Sequence, residues 1–121
     1  MNQDEKNKSE QELLESLDAM TAAPEHHTVL LETERVRVLD SLVKPGDATP
    51  VHTHAWASVL YNLGTSDFVR CDADGNVVFD SRNSPLDIKN GMALWSPPLM
   101  PHFVKNVGEG EIRVISVELK D

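Results

Sequence analysis

Apolar and polar residues alternate with a period of two over most of the chain after Pro24, a pattern typical of β-strands with one buried face. The two longest such segments, Arg35 to Val43 and Ile112 to Leu119, are rich in branched apolar residues. Many short strands at regular spacing predict an all-β sandwich or barrel. Shorter strands are predicted between turn residues at Ser58 to Leu63, Asp67 to Cys71, Val77 to Asp80, Met92 to Trp95 and Phe103 to Asn106.

The first 27 residues differ from the rest in pattern and charge. Ser9 and Glu12 have the spacing of a capping box, and four apolar residues follow at helical intervals, which predicts a short amphipathic helix from Glu10 to Met20. We therefore divide the chain into an acidic leader, residues 1–27, and one β domain, residues 28–121. We expect the apolar stripe of the helix to pack on the domain or on a second subunit. The stripe consists of Leu13, Leu14, Leu17 and Met20.

Composition narrows the choice of partner and compartment. A chain of 121 residues has material for one core, and its net charge of −9 opposes binding to nucleic acids and to anionic membrane surfaces. The sequence shows neither an apolar run long enough to cross a membrane nor the apolar segment of a signal peptide, so we expect a cytoplasmic protein. The single cysteine, Cys71, excludes an internal disulfide.

The most informative residues are histidines. His52 and His54 are separated by one residue, so on a strand both rings lie on the same face and can bind one metal ion. Such a pair also arises by chance, and its context gives it weight. Gly46 precedes His52 by six positions, and a second group follows some forty residues later: Gly91, Pro97, His102 and Asn106.

These two groups resemble the paired motifs of the cupin superfamily. The second group has the family spacing, with Leu99 in place of the middle glycine, while Gly46, His52 and His54 match the first motif. The resemblance implies an antiparallel double-stranded β-helix, the jelly-roll barrel of cupins. It also implies a mononuclear metal site on His52, His54 and His102. Ser58 stands where the family has a glutamate ligand.

The missing carboxylate predicts the chemistry of the site. Three neutral imidazoles leave the charge of a divalent ion uncompensated, which favours an anionic ligand on the metal. Among cupins, the three-histidine variation resembles ferrous diketone-cleaving and thiol dioxygenases. We therefore expect an oxygenase that acts on a small anionic or enolisable molecule. Iron(II) is the favoured metal, and zinc, manganese, nickel or copper also suit imidazole ligands.

Two other functions remain open at this stage. The protein is either a non-catalytic cupin that binds or senses a metal or small ligand, or a zinc or manganese isomerase or hydrolase. As is usual among proteins that resemble this family, we expect a homodimer. We predict a substrate pocket formed by Trp56, Ser58, Tyr61, Trp95, Met100 and Phe103, although Trp95 and Phe103 also suit a packed core, and Tyr61 differs in strand parity from Ser58.

Several other polar residues have simpler interpretations than a role in the metal site. His26 and His27 follow Pro24 in a polar connector, and we expect both to be solvated. The Asp72 to Asn76 segment predicts a hairpin turn rather than a calcium loop. Four arginines could meet a substrate carboxylate, although an outward position is more common for arginine on a strand. They are Arg35, Arg37, Arg70 and Arg113.

Overall fold

The computed structural model describes residues 3–120 and the side chains from Glu10 onwards. It contains two helices at the start of the chain, nine strands and one short 3₁₀ turn at Ser81–Asn83. The helices are α1 (Gln3–Ser16) and α2 (Ala19–Ala22). The strands are β1 (His27–Glu32), β2 (Val36–Val43), β3 (His52–His54), β4 (Ser58–Gly64), β5 (Phe68–Asp72), β6 (Val77–Asp80), β7 (Ala93–Ser96), β8 (Leu99–Asn106) and β9 (Ile112–Leu119).

The strands form two antiparallel sheets, in the orders β1-β2-β9-β4-β7 and β3-β8-β5-β6. All pairings within the two sheets are antiparallel. The predicted all-β, double-stranded β-helix class is therefore confirmed. The strand predicted over Ile112 to Leu119 has the same bounds in the structure. In contrast, β8 begins four residues before its predicted start at Phe103. The sequence pattern did not indicate β1.

The inward faces of the sheets carry many small polar side chains. Alternation sends Ser41 of β2, Ser58 and Asn62 of β4, and Ser116 of β9 into the barrel, where all four line one cavity. Small polar residues cannot fill the interior as leucine or phenylalanine would. The barrel therefore contains a cavity of ≈ 540 Å³ beside a small apolar core that includes Leu39 and Val43.

The leader forms two helices instead of the single predicted one. Ser9 lies inside α1 and does not cap it, and the helical path stops before Asp18. Asp18 has an extended conformation, with φ −50° and ψ 143°, and its carboxylate accepts a hydrogen bond from the Met20 amide at the start of α2. Leu13 is 60% exposed, so the full leucine stripe does not pack on the barrel of its own chain, and its packing on a second subunit stays a prediction. The fully buried leader residues are Ala19 and Ala23.

The outer face of the five-stranded sheet carries a continuous apolar row. Cross-strand pairing aligns Leu31, Val38, Val117, Val59 and Trp95 across all five strands. Trp95 is 64% exposed and Leu31 is 54% exposed. Exposed apolar patches of this kind are typical of interaction surfaces. None of the described helices is long and apolar enough to cross a membrane.

Candidate metal centre

Four histidines converge at one end of the barrel. His27 opens β1, His52 and His54 lie on β3, and His102 is the cross-strand partner of His52 on β8. One nitrogen from each of His27, His52 and His54 lies within 4.8 Å of the others. The ring centroid of His102 is 4.5 Å from that of His52 and 5.8 Å from that of His54. The donor spacing of His27, His52 and His54 matches that of a single metal ion, and His102 lies beside this group.

Hydrogen bonds fix the tautomer of three of these rings. The Nδ1 atom of each lies beside a backbone carbonyl oxygen, which can only accept, so Nδ1 carries the proton and Nε2 keeps a free lone pair. Metal-binding histidines use this arrangement, in which the second nitrogen donates to an outer acceptor. The pairs are His27 with Ala23 O at 3.0 Å, His52 with Pro50 O at 2.8 Å and His102 with Met100 O at 2.7 Å.

The fourth ring, His54, is held by a buried carboxylate. Its Nδ1 atom donates to Glu118 Oε2 at 3.1 Å, and Glu118 is 0% exposed. Glu118 pairs across the sheet with Ser58, the position at which the cupin motif has glutamate. The chain thus places a carboxylate one strand away from the motif position, where it orients a histidine. Glu118 was not predicted from the sequence, because β9 was interpreted as an apolar-rich strand.

Arg37 keeps Glu118 ionised. Burial alone would raise the pKa of Glu118, but hydrogen bonds from His54 and from Arg37 Nε, the latter at 2.6 Å, outweigh it, and the pKa lies below its ordinary value. An ionised carboxylate accepts the Nδ1 proton of His54 and favours the tautomer with Nε2 free. The site therefore presents four imidazoles with the same nitrogen available.

Burial also keeps three of the histidines in the neutral form that can bind a cation. Burial lowers the pKa of His27 to about 4, of His52 to about 3 and of His102 to about 4. These rings are neutral at pH 7, which is the form that binds a metal. The donor set fits one divalent first-row ion such as iron(II) or zinc, because such ions accept imidazole nitrogen.

Arg70 is a cation on the cavity wall for which the described part of the chain provides no salt-bridge partner. Arg70 of β5 faces the cavity beside its cross-strand neighbour Val104, and among the described residues no carboxylate forms a salt bridge with it. Its guanidinium lies 5.8 Å from the centre of the Phe79 ring. Burial lowers the pKa of Arg70, because a buried charge without a counter-ion is unfavourable. Arg70 is thus the described side chain best placed to bind an anion inside the cavity.

Solved structures resemble this fold, although no family model and no curated protein matches the chain. A cupin domain from Bordetella pertussis Tohama I aligns with a TM-score of 0.63 and 24% identity, over 78% of this chain and 92% of that one. An RmlC-like cupin family protein with a double-stranded β-helix fold from Methanocaldococcus jannaschii gives 0.55 and 15%, over 77% of each chain. The protein has the cupin fold. The polyketide cyclase RemF from Streptomyces resistomycificus also aligns, with a TM-score of 0.52 and 22% identity, over 78% of this chain and 64% of that one.

The structure corrects the expectation for His27, which is 5% exposed and lies inside the cupin barrel. It pairs with Ser41, an inward residue of β2, so strand parity sends its ring into the barrel. Its neighbour His26 faces the other way and lies 2.9 Å from Asp47, so it is bonded rather than solvated. Adjacent strand residues face opposite sides, so one of two neighbouring histidines must face inwards once β1 is recognised as a strand.

Of the residues predicted to form the substrate pocket, only Ser58 and Trp95 border the cavity. Ser58 lies on the cavity wall with the histidines, and Trp95 borders the cavity although most of its surface is exposed. Tyr61 lies on the outer face of β4, as its parity indicated, and does not line the cavity. Trp56 is also outside the cavity, because its ring packs against the Arg37 guanidinium, 5.0 Å from the ring centroid.

A bulge in β8 explains the position of Met100, whereas Phe103 faces outwards because it follows the inward-facing His102. His52 pairs with His102 whereas His54 pairs with Leu99, so three steps along β8 face two along β3. The extra residue reverses the alternation and brings Leu99, in the place of the motif glycine, to the cavity wall. Met100 is exposed, and Phe103 lies beneath the Lys105 ammonium, so neither lines the cavity.

The buried histidines predict how the stability of the metal-free protein depends on pH. An unfolded histidine titrates near 6.5, above the folded values of His27, His52 and His102. Between pH 6.5 and 4 the unfolded chain therefore binds more protons, and the free energy of unfolding falls as the pH falls, by up to about 1.4 kcal/mol per pH unit for each histidine. Urea unfolding in a chelator at pH 7, 6 and 5 measures the trend. A constant free energy over this range would show that the rings are not buried as neutral groups.

Proposed function

We propose that this cupin is a mononuclear metal-dependent oxygenase for a small anionic or enolisable molecule. The observation that carries the proposal is the convergence of His27, His52 and His54, with His102 beside them, in one tautomeric form. Outer acceptors that fix Nδ1 are typical of metal ligands, whereas histidines in a packed core have no need of a common centre. These four residues would hold the ion.

The donor set determines what kind of ligand the ion would accept. Imidazoles are neutral, and the nearest described carboxylate, Glu118, is engaged by His54 and Arg37. The ion would keep its positive charge, which favours an anionic ligand. When bound, iron(II) would supply Lewis acidity and redox chemistry towards dioxygen.

The remaining cavity residues would bind and enclose the substrate. Arg70 would bind a carboxylate or enolate oxygen, while Leu60, Leu94, Leu99 and Val104 provide apolar walls that exclude water. The cavity volume of ≈ 540 Å³ suits a small organic molecule. A substrate with an anionic group at one end and an apolar body matches both parts of the wall.

A second candidate is non-oxidative chemistry with zinc or manganese, such as isomerisation or hydrolysis. The observation in its favour is that one solved structure with this fold is a polyketide cyclase. In this case the ion would act as a Lewis acid alone, and Arg70 would again bind the anionic part of the substrate. A cupin that only binds a metal or ligand would show neither chemistry.

Oxygen uptake distinguishes these functions. The protein is loaded anaerobically with iron(II) and mixed with a panel of small carboxylates, 2-oxo acids and β-diketones, and oxygen consumption is followed with an electrode. We expect uptake that requires both iron and one class of ligand, and that is lost in His52→Ala. Turnover of a ligand by the zinc form without oxygen uptake would overturn the oxygenase proposal in favour of the second candidate. Ligand binding without turnover would identify a binding or sensing protein.

A further inference from the structure

The leader is attached to the strand that carries two of the site histidines. β3 lies at the edge of its sheet, with β8 on one side, and the leader covers the other side through a bridge between Asp18 and Thr53. The Thr53 amide donates to Leu17 O at 2.7 Å. Because Thr53 lies between His52 and His54, this bond fixes the backbone from which both rings extend.

A chain of charged side chains links the leader to His54. Asp18 accepts hydrogen bonds from both terminal nitrogens of Arg37, at 3.0 and 2.9 Å. Arg37 Nε donates to Glu118 Oε1 at 2.6 Å, and Glu118 Oε2 accepts from His54 Nδ1. The Trp56 ring packs against the guanidinium and limits its movement. Each member of the chain therefore fixes the orientation of the next.

Ala23 of the leader holds another site histidine, His27 at the start of β1. His27 Nδ1 donates to the carbonyl oxygen of Ala23, at 3.0 Å, and Ala23 is fully buried. The leader thus reaches the histidine cluster at three points: the backbone between His52 and His54, the Nδ1 atom of His54 and the Nδ1 atom of His27. None of the leader residues at these points offers an atom to the cluster itself.

We propose that residues 17–23 are a positioning segment of the metal centre. The segment sets the backbone of β3 and the ring orientations of His27 and His54, so metal affinity depends on residues that never touch the ion. This inference rests on the proposed metal site and adds to it the residues outside the donor set on which its metal affinity depends. Asp18 is a positioning residue in this account.

Substitution of Asp18 tests the proposal in the full chain. Asp18→Ala removes the carboxylate that anchors Arg37, and Asp18→Asn keeps its size and one acceptor in case the alanine variant folds poorly. The control is Asp40→Ala, because Asp40 forms a comparable two-point pair with Arg113, at 3.2 and 2.7 Å, on the outer face of the same sheet. Circular dichroism and urea unfolding in a chelator establish that each variant is folded.

The first readout is the affinity for cobalt(II), measured by competition with a chromophoric chelator. Loss of an outer partner of a metal ligand lowers affinity roughly 10- to 100-fold. Asp18 acts on His54 only through Arg37 and Glu118, so we expect a smaller loss, about 3- to 10-fold, for Asp18→Ala, a still smaller loss for Asp18→Asn and none for Asp40→Ala.

The second readout needs no metal and is one that a general loss of stability would not change. In nitrogen-15 spectra of the metal-free protein, the His54 ring should be a single Nδ1–H tautomer in the wild type and a mixture of tautomers in Asp18→Ala. The His52 ring, whose Nδ1 donates to Pro50 O, should be unchanged and serves as the internal control.

The outcomes separate this inference from the proposed function. Wild-type affinity for cobalt in a folded Asp18→Ala variant, with an unchanged His54 spectrum, would overturn the positioning role and leave the metal centre standing. Failure of the wild-type protein to bind cobalt, zinc or iron(II) would overturn the metal centre itself, and with it the effect of the leader on affinity. A change in the His54 spectrum would then still show that the leader orients this ring.

Discussion

His27→Ala is expected to lower the affinity for a divalent metal ion by more than about 100-fold, because removal of a ligand costs more than removal of an outer-shell partner. The Nε2 lone pair of His27 lies in the cluster with His52 and His54, and no other described residue of β1 could replace it. The barrel itself should remain folded, since the loss of one ring leaves the strand pairing of β1 with β2 intact.

The neighbouring histidine provides a matched control. His26 bonds to Asp47 away from the cluster, so His26→Ala should bind metal as the wild type does. Titration of both variants with zinc or cobalt in competition with a chelator measures the difference. Equal affinities in the two variants would mean that the ion, if bound, is held by His52, His54 and His102 alone.

Arg70→Met is expected to lower the affinity of the metal-loaded protein for small carboxylates by about 10- to 100-fold, since a hydrogen bond to a charged group contributes about 1.5–3 kcal/mol. Methionine keeps much of the apolar stem of arginine and so preserves the packing against Phe79. Metal content should not change, because Arg70 is not among the converging histidines.

A second arginine variant controls for net charge. Arg113 is paired with Asp40 on the outer face, so Arg113→Met removes the same charge far from the cavity and should leave carboxylate affinity unchanged. Calorimetric titration of both metal-loaded variants with the same carboxylates compares their affinities for the anion. Wild-type affinity in Arg70→Met would show that the metal alone binds the anion.

The strands and the motif histidines could be predicted because they depend on local pattern. Alternation identified β2 and β9, and the motif spacing indicated histidines that β3 and β8 bring side by side, although the close donor group is His27, His52 and His54 rather than the predicted His52, His54 and His102. These features follow from strand parity, which is a property of the sequence itself. The resemblance to cupins then placed the two motifs on neighbouring strands.

The remaining parts of the site depend on pairing between distant strands. His27 and Glu118 reach the metal centre only because β1 pairs with β2 and β9 pairs with β4. These pairings cannot be predicted from the local sequence pattern. The bulge that turns Met100 outwards and Leu99 inwards depends on the register of β8 against β3. The break in the leader depends on Asp18 meeting Arg37, nineteen residues along the chain.

Metal analysis of the protein purified without added metal or chelator, combined with X-ray absorption at the edge of the metal found, shows whether the histidine cluster holds an ion. We expect one first-row ion per chain with imidazole nitrogens as its protein ligands and no sulfur, consistent with the donors of His27, His52 and His54 and with His102 beside them. A protein that contains no metal and binds none on addition of iron(II), zinc or manganese would contradict this expectation, as would an ion coordinated mainly by carboxylate oxygens.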